Sequence, residues 1–137
     1  MSTENNLKVS DLILKPDEIP VLQTNDMVKN ALEKMSALKL GVVCVVDSNN
    51  ILKGVFTDGD VRRLLLSDQK LLSAIFVDDI IVHSNHNPLI IEENVAITDA
   101  LKIIEEKKVW DVPVVDKNKK LIGLLHMHRI IKKILKP

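Results

Sequence analysis

The feature that most constrains this 137-residue chain is that it repeats itself at an offset of 69 positions. Sliding the sequence by that amount superimposes Asn25 on Asn94, Ala31-Leu32 on Ala100-Leu101, Lys39 on Lys108 and Val43 on Val112. Val45-Val46-Asp47 meets Val114-Val115-Asp116, Leu52 meets Leu121, and Gly54 meets Gly123. The register runs without a gap from Asn25 to Leu65, with roughly 11 identities in about 40 positions, too regular for chance. Upstream the best match slips to 68, aligning Val9 and Asp11 with Val77 and Asp79, and Pro20 with Pro88. The expected repeats span residues 7–69 and 74–137.

Each copy predicts the order β-α-β-β-α. A short extended segment (Ile19 to Leu22, Leu89 to Ile91) precedes polar residues expected to cap a helix, Thr24-Asn25-Asp26 and Glu92-Glu93-Asn94. Apolar residues then recur at helical spacing: Val28, Ala31, Leu32, Met35 and Leu38, matched by Ile97, Ala100, Leu101 and Ile104. The β-branched runs Val42 to Val46 and Val112 to Val115 predict strands buried on both faces. Asp47 to Asn50 and Asp116 to Lys119 are turn residues, so Leu52 to Phe56 and Leu121 to Leu125 should return as hairpin partners. Helices from about Asp58 and about Met127 close the copies.

Composition removes several function classes. Nineteen basic residues balance nineteen acidic ones, so no net field favours nucleic acid or anionic lipid. Phe56, Phe76 and Trp110 are the only aromatics, too few for a base-stacking platform. The lone Cys44, inside VVCVV, reads as a buried structural thiol and suits a reducing compartment. No apolar run approaches the ~20 residues of a membrane span, and MSTENNLK has neither the basic start nor the apolar centre of a signal peptide. The expectation is a cytoplasmic protein with neither nucleic acid nor membrane as partner.

The patterns V-x-D, then h-x-x-A-L-x-x-M, then V-V-D followed by G-V-F-T-D-G-D resemble the cystathionine-β-synthase (CBS) domain. The resemblance extends from about Leu7 to about Lys136, as a tandem pair. It implies an α/β fold of the α+β type, the two copies related by pseudo-twofold symmetry, and a regulatory role. A narrower resemblance, carried by Asp17 to Pro20, Gly54 to Arg63 and Leu124 to His128, is to the C-terminal CBS pair of bacterial arabinose-5-phosphate isomerases. Those enzymes serve the Kdo branch of surface-polysaccharide synthesis, and their chemistry lies in a preceding sugar-isomerase domain that has no counterpart here. A similar TDGD-containing pair precedes some sugar nucleotidyltransferases. Both a fragment and a free-standing relative fit a chain that begins with Met1.

In the CBS family a Thr or Ser after the last strand, and an Asp three residues later, hold the hydroxyls of a nucleotide ribose. The resemblance puts Thr57 and Asp60 in those roles. Ionised, Asp60 offers two acceptors to a vicinal diol, in charge-assisted bonds of ~1.5–3 kcal/mol each. Asp58 shares the turn, Gly59 admits close backbone approach, and helix amides with Arg63 nearby would receive phosphate. The alternative is a helix cap and nothing more, Thr57 or Asp58 taking free amides and Asp60 balancing the helix dipole.

The offset puts His126 at the threonine position, His128 at the glycine and Arg129 at the aspartate. Arg129 has no acceptor, so this second site is either degenerate, the reading we favour, or turned toward an anion. The histidine pairs His126/His128 and His83/His86 lack a zinc framework, and no metal is expected. Trp110 either covers the second cleft or packs against the other repeat.

No catalytic constellation or phosphate-cradling glycine loop is present, so the chain alone is expected to be non-enzymatic, with no required cofactor. The expected regulatory ligands are AMP, ATP or a CMP-sugar acid. A homodimer through Leu64, Leu65, Ile130, Ile131 and Ile134 is expected, with a sugar-phosphate isomerase or nucleotidyltransferase as protein partner. The competing reading is a ligand-independent dimerisation scaffold.

Overall fold

A computed structural model describes residues 7–67 and 71–135. Among them the first repeat forms β1 (Val21–Gln23), α1 (Val28–Leu38), β2 (Val42–Val46), β3 (Leu52–Thr57) and α2 (Asp58–Ser67). After the short helix α3 (Leu72–Phe76), which the repeat pattern does not anticipate, the second forms β4 (Ile91–Glu92), α4 (Ile97–Lys107), β5 (Asp111–Val115), β6 (Leu121–His126) and α5 (Met127–Leu135). The expected mixed α/β plan of β-α-β-β-α, twice, is present. Each copy folds a three-stranded sheet with its central strand parallel to one neighbour and antiparallel to the other, in the orders β1-β2-β3 and β4-β5-β6.

The apolar runs do what β-branched residues buried on both faces should. All five residues of β2 are buried, as are the last four of β5. The turns between the hairpin strands are held by Asp47 and Asp116, whose Oδ1 atoms accept the amides of Asn49 and Ile51, and of Asn118 and Lys120. The Ile51 amide foremost, with Asn49 and the Lys53 charge, holds the Asp47 carboxyl below its ordinary range. One strand is shorter for a covalent reason. Cys44 donates its amide to the Pro20 carbonyl at 3.0 Å, whereas its counterpart Pro113 has no N–H, and β4 starts one step later than β1.

The helix starts correct the sequence reading. Thr24 to Asp26 form a turn ahead of α1, Glu92 ends β4 with Glu93 and Asn94 turning toward α4, and Asp26 Oδ2 accepts the Gln23 amide at 2.7 Å. The residues before the first helical turns are Met27 and Ala96. The opening amides find backbone carbonyls instead: Val28 donates to Asp78 at 3.0 Å and Ile97 donates to Leu7 at 2.9 Å. These partners come from the segment that leads the other repeat.

That exchange defines the compact units. One consists of the chain up to Pro16 together with the chain from Leu89 on; the other is Asp17–Pro88. The repeats 7–69 and 74–137 therefore do not coincide with them, because each repeat's leader packs on the body of the other. In one unit Val9 and Leu12 join Ile97, Ala100, Ile104, Val112, Leu125 and Ile130 in the core. In the other, Ile75 and Ile80 join Leu22, Val28, Ala31, Val43, Val45 and Phe56. Ile130, expected on an exposed face, is completely buried.

The leaders dock through matched backbone bonds. Leu14 and Leu124 exchange amide-to-carbonyl bonds of 2.8 and 2.9 Å, and Asn85 and Val55 exchange bonds of 2.8 and 3.0 Å. Val9 donates to Val95 as Ile80 donates to Asp26, and Ser10 to Glu93 as Ile81 to Thr24. These pairs match the leaders at an offset of 71, not the 68 that Val9/Val77 suggested. The bodies keep 69, and the two extra residues of the first copy lie between leader and strand, where Pro16–Glu18 forms a 3-10 turn.

The paired glycines now have a reason. None of the four glycines has a positive φ; the left-handed residues are Lys39, Asn50, Lys108 and Lys119, again two pairs at 69. A methyl on Gly54 would lie 2.8 Å from the Asn85 carbonyl oxygen, and one on Gly123 would press on the Leu14 carbonyl oxygen and Ile13. Gly54→Ala and Gly123→Ala should each cost about 1–3 kcal/mol of stability in urea denaturation, Gly123→Ala more, because backbone cannot step aside.

Candidate functional site

The last strand of each hairpin runs into its helix with no loop between them. Thr57 ends β3 and Asp58 begins α2; His126 ends β6 and Met127 begins α5. Hydrogen bonds fix each junction from the far side, Asp58 donating its amide to Gly41 at 3.1 Å and Met127 donating to Trp110 at 2.9 Å. The junction side chains are therefore carried by the sheet itself.

At the first junction Thr57 and Asp60 form a reciprocal cap. The Thr57 amide donates to Asp60 Oδ2 at 2.8 Å, and the Asp60 amide donates to Thr57 Oγ1 at 3.3 Å. The threonine hydroxyl also donates to Asp60 Oδ2 at 3.1 Å. Oδ1 of Asp60 accepts from the Arg63 guanidinium at 2.7 Å; the carboxylate side is 15% exposed and the arginine 63%. One carboxylate oxygen is thus held by the junction itself, while the other is held by an exposed cation that solvent already reaches. A methyl added at Gly59 would sit 3.3 Å from Arg63 Nη1 and 3.5 Å from Thr57 Oγ1, so this glycine keeps space open between the two.

Asp58 stands apart from that cap. Its carboxylate lies over Gly41, where a Cβ would collide with it, and it borders a groove of about 360 Å³. Leu32, Met35, Ser36, Lys39 and Leu40 line the rest, which brings the C-terminus of α1, the start of β2 and the start of α2 together around one opening. The Thr57, Asp58, Gly59, Asp60 and Arg63 set is gathered at one junction, and the groove adds Lys39 and Gly41, which carried no signal in the sequence beyond the repeated lysine.

The second junction is built differently. His126 donates from Nδ1 to Asp111 Oδ1 at 2.5 Å, with the side chains 24% and 19% exposed. Asp111 was missed in the sequence reading; it opens β5 directly opposite His126, where the first hairpin has Val42 opposite Thr57. The His128 ring centre lies 6.1 Å from that of His126. Arg129, at the position of Asp60, is exposed and carries no acceptor, so the reciprocal cap of the first junction has no counterpart here. Trp110 is 67% exposed.

The remaining histidines have local partners. His83 bonds Asp78 at 2.8 Å, and His86 Nε2 lies 2.8 Å from the Ile81 carbonyl oxygen. Among the described residues no group of three or more metal-ligating side chains is clustered, and no helix is long and apolar enough to cross a membrane.

Comparison with known proteins places this geometry. The CBS domain family model matches twice, at residues 9–67 and 77–136. An uncharacterised protein of Chlamydia pneumoniae is 37% identical over 130 residues, covering 93% of this chain and 39% of that protein. The arabinose 5-phosphate isomerase KdsD of Francisella tularensis is 32% identical over 131 residues, covering 92% of this chain and 37% of the isomerase. The chain thus spans about two fifths of the length of these relatives. Among solved structures, the CBS-pair protein CBSX2 of Arabidopsis thaliana, in its complex with AMP, is 29% identical with a TM-score of 0.81. That match covers 93% of this chain and 96% of CBSX2.

The cap is testable apart from any ligand. Thr57→Ala removes the acceptor of the Asp60 amide and one donor to its carboxylate, and should cost about 1 kcal/mol in urea denaturation. Thr57→Ser, which keeps the hydroxyl, should lose much less.

Proposed function

Because the chain belongs to the CBS domain family and carries two copies, we propose that it is a regulatory module that senses a nucleotide or nucleotide sugar at the Thr57–Asp60 junction. The observation that carries this reading is the division of labour on Asp60. Thr57 fixes Oδ2, which orients the carboxylate, and only the exposed Arg63 covers Oδ1. A ribose diol arriving there meets an acceptor already aimed, and Arg63 is released to pair with the ligand's phosphate.

Three further features support a nucleotide. The groove beside Asp58, at about 360 Å³, falls within the ~300–1,000 Å³ of ordinary small-molecule sites. It is lined by Leu32, Met35 and Leu40, which suit an apolar or aromatic moiety. CBSX2, which shares the fold and 29% of the sequence, binds AMP.

The similarity to KdsD supports control of a sugar-phosphate isomerase or a related polysaccharide enzyme, for which a CMP-sugar acid is a fitting feedback ligand. In this reading the chain has no catalytic role of its own. Binding shifts the state of an associated enzyme by no more than the ligand's differential affinity for the two states. Isothermal titration with AMP, ATP, CMP and a CMP-sugar acid tests it. At least one should bind the wild type, and Asp60→Ala should weaken it by at least about tenfold, the loss of one charge-assisted bond. Melting curves taken alongside separate that loss from loss of the cap. If none binds at millimolar concentration, the sensing role fails for these ligands.

A second reading rests on a different observation. Leu65 and Leu66 on α2, and Ile131, Ile134 and Leu135 on α5, remain between 42% and 81% exposed. Such apolar surface on the closing helices supports self-association as a dimer. Light scattering distinguishes the roles: a sensor should change mass or affinity with nucleotide, while a scaffold should stay dimeric and indifferent to every one of them.

A further inference from the structure

The two leaders cross their strands at equivalent places with side chains of opposite kinds. At the offset of 71, Leu12-Ile13-Leu14 corresponds to His83-Ser84-Asn85. Both triplets end on the residue that exchanges backbone bonds with the last strand of a hairpin, Leu14 with Leu124 and Asn85 with Val55. Val55 and Leu124 are themselves equivalent, each following its paired glycine. The backbone grip is the same in both copies, and the side chains make the difference.

In the first leader Leu12 is 2% exposed and lies in the core, with Ile13 packed against it. Lifting that segment would bring apolar surface into water. The corresponding side chains of the second leader are tied by hydrogen bonds. His83 Nε2 lies 2.8 Å from Asp78 Oδ2, and Ser84 Oγ donates to the Ile80 carbonyl at 2.7 Å. His86 Nε2 lies 2.8 Å from the Ile81 carbonyl oxygen, and Asn85 Oδ1 accepts the Asn87 amide at 3.0 Å. None of these side-chain bonds reaches β3, and water can replace each partner, so their net hold is small. The front of this leader is firmly seated. Ile80 is completely buried, Ile81 packs against the same core, and the Asp78 carbonyl accepts the Val28 amide.

We propose that Ser84 to Asn87 is a strap that opens off β3 about the 3-10 turn Ile80–His83, while the body beneath stays folded and the first leader stays shut. Opening frees the amide and carbonyl of Val55, two residues ahead of Thr57, and leaves the outer edge of β3 unpaired there. The strap runs directly into Pro88, where one compact unit ends and the other resumes at Leu89. The same stretch thus grips the strand that carries the first junction and connects the two units.

Native-state hydrogen exchange, read by NMR on the whole chain at one pH and in low urea, tests this. Each crossing is compared with a core amide of its own unit: Cys44, which donates to Pro20, and Ile104 within α4. The protection factors of Val55 and Asn85 should fall at least about tenfold below that of Cys44, with little dependence on urea. Those of Leu124 and Leu14 should stay within a few-fold of Ile104. Val55 as protected as Cys44, or Leu124 as far below Ile104 as Val55 is below Cys44, overturns the proposal.

The triple variant His83→Leu/Ser84→Ile/Asn85→Leu gives the second leader the side chains of the first, and should raise Val55 protection toward that of Cys44. His86→Ala, which removes the bond to the Ile81 carbonyl, should lower Val55 protection several-fold with Cys44 unchanged. A triple variant that keeps Cys44 protected yet leaves Val55 as fast as before also overturns the strap. Should that variant fail to fold, the wild-type comparison decides.

Discussion

Everything in this structure depends on two short leaders that supply backbone carbonyls to bodies they do not precede. An α-helix begins with four amides that have no partner inside it. Here the residues at the helix starts, Met27 and Ala96, have no side-chain oxygen to offer. The Asp78 and Leu7 carbonyls accept the first amides instead. The same leaders add a strand-like bridge to the last strand of each hairpin, at Asn85–Val55 and Leu14–Leu124. They then bury Ile80 in one core and Val9 and Leu12 in the other. Neither repeat could complete its helix cap, its sheet edge and its core from its own residues alone. The tandem arrangement is thus a requirement of the fold and not merely a duplication.

That dependence reaches the strand-to-helix junctions directly. Gly54 and Gly123 let the leaders cross β3 and β6, three residues before Thr57 and His126. The strands that carry the junction residues are therefore clamped on one side by β2 or β5 and on the other by a leader. A perturbation that loosened a leader would be felt at the junction through the strand itself, with no chain of side chains needed. The first leader thereby links the β6 strand, and the junction at its end, to the N-terminal segment through backbone bonds at Leu14 and Leu124.

The bodies of the repeats were legible because their constraints are periodic. Buried β-branched runs, helical spacing of Ala31 and Ala100, and aspartate turns at 47 and 116 each leave a pattern in a single sequence. The junctions were legible because two copies could be compared, which set Thr57-Asp58-Gly59-Asp60 against His126-Met127-His128-Arg129. The exchange of leaders left no such mark. Its bonds are made by backbone groups, which every residue has, and its one side-chain trace, glycine at 54 and 123, reads equally well as a turn. The chance pairing of Val9 with Val77 then suggested a shift of 68 where the geometry has 71. Ile130 was misplaced for a related reason: α5 has an apolar stripe broad enough that sequence alone does not say which edge faces inward.

Asp111 went unnoticed for a different reason. An acid before an apolar run reads as the solvent-facing entry to a strand, and only the hairpin register puts it opposite His126. A carboxylate 19% exposed at the end of a buried strand carries a desolvation cost that a charge-assisted bond offsets, so it is retained where its partner is. The same reasoning separates the two junctions. At the first, the carboxylate lies on the helix and closes a cap, so its loss would leave the Thr57 amide without that acceptor. At the second, the carboxylate lies on the strand and the helix start is relieved of capping by side chain. His128 and Arg129 then stand exposed where the first copy has Gly59 and Asp60, and the asymmetry between the copies comes down to one negative charge that lies on the helix in one and across the hairpin in the other.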